Sequence, residues 1–117
     1  IDYNRFVITE AEFTQCSDTA LESLNRSMDS IANDHDVEIL FQSGVLSLEI
    51  DEPVLSKIIV SPNSSARQIW ISAQSTSFKL DWSRDDAAFI FPATGETLEI
   101  LIGRLVGEDL GVGTIQL

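Results

Sequence analysis

Hydrophobic positions along the chain change period twice. Over residues 8–33, ITEAEFTQCSDTALESLNRSMDSIAN, they recur at Phe13, Cys16, Ala20, Leu24, Met28 and Ile31, with Leu21 alongside. Steps of three and four residues predict one long amphipathic helix. Thr9 and Glu12 stand at capping-box spacing, and Ile8 with Phe13 at the spacing of a hydrophobic staple. From Asp36 the period falls to two. VEILF (37–41) sets Val37, Ile39 and Phe41 against Glu38 and Leu40, and VLSLEI (45–50) sets Leu46, Leu48 and Ile50 on one face after Ser43-Gly44. Asp51-Glu52-Pro53 predicts a turn and KIIV (57–60) a short strand. SPNSSA (61–66) reads as a loop by composition. RQIWISA, FKLDW (78–82) and AAFIF (87–91) complete the strands, with a turn at Ser83-Arg84-Asp85-Asp86. Thr94-Gly95-Glu96-Thr97 offers caps for a second helix at about 97–107, whose apolar set is Leu98, Leu101, Ile102, Leu105 and Val106. Gly107, Gly111 and Gly113 mark its end and an irregular tail.

The order is therefore helix, about six short strands, helix. Short links between strands favour antiparallel pairing. Two terminal helices can cover only one face of such a sheet, so the expected fold is an α+β two-layer sandwich, α-β-β-β-β-β-β-α, as a single domain over 1–117 with one open sheet face. RQIWIS gives that open face an occupant. Ile69 and Ile71 claim the buried side, which places Trp70 outside, between Gln68 and Ser72. An indole there either packs under a side chain such as Lys79 or Arg67, or serves as a protein-binding anchor.

Length and composition fit one globular domain: 117 residues, 44% hydrophobic. No apolar run reaches the roughly 18 residues of a membrane span. The sequence starts at Ile1 rather than at a methionine and without a leader-like stretch, so the expectation is either a trimmed chain or a processed mature form. Cys16 is the single cysteine, which favours a reducing compartment and excludes an intrachain disulfide or a Cys-based metal site. The charge is −12, from 19 acids and 7 bases, and residues 1–38 alone hold nine acids against two bases. Such a surface repels phosphate backbones, excludes nucleic acid as a partner, and attracts cations or a basic protein surface. Solubility alone is the plainer reading of the same charge.

Candidate chemistry is sparse. His35 lies in a polar turn and Cys16 on the apolar helix stripe, so no Cys–His nucleophile is indicated. No phosphate-binding glycine loop is present. Asp18, Glu22 and Asp29 share one helix face, with Glu22–Arg26 at favourable i,i+4 spacing, and Asp34, Asp36 and Glu38 continue the negative surface. Carboxylates and an imidazole suit hard or borderline divalent ions, including ferrous iron, but no spacing here specifies a cage. A solvated helix face explains the same residues.

The stretches SGVLSLEI (43–50), QIWIS (68–72) and FKLDW (78–82), set between the TALESL helix (19–24) and TGETLEILIGRL (94–105), resemble the frataxin family across nearly the whole chain. The resemblance implies a regulator of iron–sulfur cluster biogenesis. It would bind the cysteine desulfurase–scaffold complex and modulate sulfur transfer. It would also bind iron weakly at an acidic ridge carried over to Asp18, Glu22, Asp29, Asp34 and Asp36. A ferroxidase or iron-chaperone role is the alternative; the leading expectation is a non-catalytic activator. The family's sheet surface maps onto Trp70, Gln68, Ser72 and Lys79. The resemblance also implies a monomer, or an iron-dependent oligomer, with no membrane partner. Two departures stand out: the run before QIW reads Ser61-Pro62-Asn63-Ser64-Ser65, and Arg26 interrupts the ridge. The wording of QIWIS and KLDW suggests the mitochondrial matrix, with the bacterial cytoplasm as the alternative.

Overall fold

The computed structural model describes residues 8–51, 53 and 55–117. The expected turn at 51–53 thus falls in part, at Glu52, outside the described residues, as do the first seven positions of the expected domain.

Helix α1 spans Glu10–Asp34. Thr9 caps it reciprocally: its hydroxyl accepts from the Glu12 N–H at 3.1 Å, and its own N–H donates to Glu12 Oε1 at 3.0 Å. The buried stripe is Phe13, Ser17, Leu21, Leu24, Met28 and Ile31. Ser17 takes the place expected for Cys16 and Ala20, which are only half-buried. A count of apolar letters misses a serine, but this hydroxyl donates to the Thr14 carbonyl at 3.2 Å and so enters the core satisfied. Helix α2 spans Leu98–Leu110, and all five of its expected apolar residues are buried.

Between the helices runs a seven-stranded antiparallel meander whose spatial order is its chain order. The strands are β1 (Val37–Gln42), β2 (Val45–Ile50), β3 (Ser56–Asn63), β4 (Gln68–Ala73), β5 (Thr76–Ser83), β6 (Ala88–Phe91) and β7 (Glu96–Thr97). Ser43 and Gly44, at φ 55° and 77°, make the tight β1–β2 turn with the backbone twist that hairpins favour.

Two strand assignments differ from expectation. β7 is a seventh strand of two residues, too short to show a period. Thr97 closes the ladder opposite Ile90 while its hydroxyl caps α2 at the Ile100 N–H. β3 continues through Ser61-Pro62-Asn63, read above as loop. Proline is tolerated because β2 pairs β3 only as far as Val60, so one side of Pro62 faces no ladder.

Both helices pack on one sheet face. Leu46, Leu48, Ile50, Ile58, Val60, Ile69, Ile71 and Leu80 point into this layer and are essentially inaccessible. Phe89 joins the sheet to α1 through an edge contact with Phe13 at 5.8 Å, and meets Trp82 at 5.1 Å. The tail after α2 is an ordered strap rather than a loose end. The Val112 N–H donates to Gly107 O at 3.0 Å and the Ile115 N–H to Gly103 O at 3.1 Å. A Cβ on either glycine would run into the strap's backbone carbonyls.

Candidate functional site

The opposite sheet face carries no covering element among the described residues. Because side chains alternate along each strand, register defines its rows. Ser61, Trp70 and Lys79 form one row across β3, β4 and β5. Asn63, Gln68, Asp81 and Ile90 form the next row, and Ile59, Ser72 and Ser77 lie on the other side. β4 is the fourth of the seven strands, so Trp70 occupies the middle of the open face.

The indole is exposed yet held. It keeps 37% of its surface accessible, enough to meet a partner. Its Nε1 donates to Gln68 Oε1 at 3.0 Å, and Gln68 Nε2 donates to Asp81 Oδ1 at 2.9 Å. Lys79 Nζ stands 4.7 Å from the ring centroid, a cation–π distance. Of the two covering side chains anticipated from sequence, Lys79 is the one in place. Arg67 turns away, at φ 56°, and donates through Nη1 to the Ser64 carbonyl within its own turn. Trp70, Gln68, Lys79 and Ser72 thus share one surface as expected. Asp81, opposite Gln68, belongs to it as well, beyond the four expected residues. Its signal was the period-two step from Lys79 within FKLDW.

Asp18, Glu22, Asp29, Asp34 and Asp36 are all exposed. The anticipated Glu22–Arg26 pair is not formed, as expected where an exposed ion pair gains less than ordering two long side chains costs. Among the described residues no group of three or more His, Cys, Asp or Glu side chains converges as a metal site. The donor set is therefore oxygen-rich and dispersed, suited to hydrated hard cations rather than to a caged one. α1 ends at Asp34 without a basic residue in its last turn, so the helix dipole adds to the negative potential there.

Cys16 and His35 do not meet. They lie 19 positions apart along one helix and its cap, about 28 Å by helical rise. Cys16 lines a groove of about 470 Å³ with Ala20, Trp82, Phe89 and Leu98. Desolvation and the nearby Glu12 charge push its thiol above the ordinary range, the reverse of an activated nucleophile. No helix among the described residues is long and apolar enough to cross a membrane.

Fold and site together define a two-layer α+β domain that leaves one sheet face open around an anchored tryptophan and carries an acidic first helix on the other layer. Residues 6–112 match the family of the frataxin-like domain. The chain is 30% identical over 104 residues to the iron–sulfur cluster assembly protein CyaY of Ralstonia nicotianae, covering 87% of this chain and 88% of that protein. It is 28% identical over 106 residues to CyaY of Azotobacter vinelandii, covering 89% and 91%. The solved frataxin of Psychromonas ingrahamii matches with a TM-score of 0.78 over 93% of this chain and 97% of its own, at 16% identity, a likeness of fold alone. The chain belongs to the frataxin family. These named relatives are bacterial; they agree with the bacterial alternative above and lend no support to the mitochondrial matrix.

Proposed function

We propose that the protein regulates iron–sulfur cluster assembly by docking on a cysteine desulfurase–scaffold complex through its open sheet face, in a bacterial cytoplasm. The observation that carries this reading is Trp70: a large indole, central on a sheet face that no described element covers, partly exposed and held by Gln68 and Lys79. Preordered aromatic anchors are what interface hot spots use, because little side-chain entropy remains to be lost. The names of the CyaY relatives supply the process. Gln68, Ser72 and Lys79 are the polar surround of the anchor. The acidic α1 face is a second contact, complementary to a basic desulfurase surface. On this reading the protein is an activator and carries no catalytic group of its own.

The test is sulfide or cluster formation by a reconstituted desulfurase–scaffold pair. Trp70→Ala is expected to abolish stimulation while leaving thermal unfolding close to wild type, since the indole lies outside the core. Full stimulation by that variant overturns the reading.

A second reading treats iron as cargo at the acidic ridge, in a chaperone or ferroxidase role. It is favoured by the exposed carboxylates of Asp29, Asp34 and Asp36 around the C-terminal end of α1, where the dipole reinforces them. Anaerobic ferrous titration followed by NMR is expected to broaden signals selectively over residues 18–38. An unchanged spectrum at millimolar iron counts against it.

A further inference from the structure

Trp70 is not held by Gln68 alone. Gln68 lies opposite Asp81 in the β4–β5 register, and Trp70 lies two residues along β4. The Gln68 amide has one donor end and one acceptor end, whereas an ionised carboxylate can only accept. Asp81 therefore takes the NH₂ end at 2.9 Å, which leaves Oε1 facing the indole N–H at 3.0 Å. With Asp81 removed, either end of the amide can face Trp70, and one of them presents a donor to a donor.

We infer that Asp81 is a positioning residue for the Trp70 anchor, acting by fixing which way the Gln68 amide points. This inference rests on the docking role proposed above for Trp70. It also defines what the partner meets. The indole N–H is used within the chain and Lys79 covers one ring face. The partner is left the other face and the ring edge, a surface for an apolar side chain rather than for a carbonyl acceptor.

The experiment compares Asp81→Ala, Asp81→Asn and Gln68→Ala with wild type by two readouts. The first is solvent exchange of the Trp70 indole proton, its NMR signal identified by its loss in Trp70→Phe. The second is affinity for the reconstituted desulfurase–scaffold pair, with Trp70→Ala as reference. Asp81→Ala and Gln68→Ala are expected to speed indole exchange severalfold. Asp81→Ala is expected to weaken binding about two- to tenfold, the range of one lost hydrogen bond. Asp81→Asn keeps an acceptor oxygen and is expected to stay nearer wild type in both. Unchanged indole exchange in Asp81→Ala overturns the inference, as does equal loss in Asp81→Asn, which would make charge rather than the hydrogen bond responsible. Faster exchange with unchanged affinity also overturns it where Trp70→Ala fails to bind. If Trp70→Ala itself binds like wild type, the docking role falls, and the exchange data still decide whether Asp81 orders the indole.

Discussion

Glu96 receives two hydrogen bonds from one guanidinium, Arg104 Nε at 2.8 Å and Nη2 at 2.9 Å. Such forked pairing favours the ionised acid and holds its carboxyl below the ordinary range, helped by the Thr94 hydroxyl. Glu12 is lowered in the same direction by the Thr9 backbone N–H and hydroxyl. A depressed folded pKa means stability that is present above the unfolded value and lost as pH falls through the folded one. Unfolding free energy is therefore expected to drop once pH passes below about 4.3, the ordinary glutamate value. In urea titrations across pH, Glu96→Gln should flatten that decline. An identical slope in the variant would remove Glu96 as its source. At this scale sequence spacing could place Glu12 beside Thr9, three residues away. It could not pair Glu96 with Arg104, because β7 was not visible as an element.

Among the elements, α2 shows how an irregular stretch can impose a strict demand. Its glycines at 103 and 107 lie one turn apart and carry the strap that returns after Gly111. In an exposed helix, glycine to alanine would gain about 1 kcal/mol. Here the added methyl meets backbone that cannot rotate away, so the sign reverses. Gly107→Ala is expected to lose about 1–3 kcal/mol, the range for overpacking, with an unchanged denaturant slope. A variant as stable as wild type would show that the strap does not bind α2 in solution. α1 illustrates the opposite case: its cap, approximate length and most of its stripe follow from local spacing, whereas Ser17 stands on the buried side in place of Cys16 and Ala20. β3 ran past its expected end because composition marks Pro62 as a breaker, whereas its tolerance depends on how far the neighbouring strand reaches.

For the whole molecule, charge and faces divide the surface. Glu10, Glu12, Asp18, Glu22, Asp29 and Asp34 all lie on α1, in the helical layer, while the open sheet face carries Trp70 with Lys79 over it. The two proposed contacts thus differ in kind, one electrostatic and one aromatic, on different layers of one domain. What the sequence by itself determined is the order of all the elements but β7, and the face that strand residues such as those of β4 present. Helical and strand periods are local properties, so Ile69 and Ile71 go inward and Trp70 outward whatever the rest of the chain does. Only the tertiary structure decided what stands beside what: the Gln68–Asp81 pair, Lys79 over the indole, the strap on Gly103 and Gly107. Those neighbours are set by strand register and by packing between segments far apart in sequence, which no local period encodes.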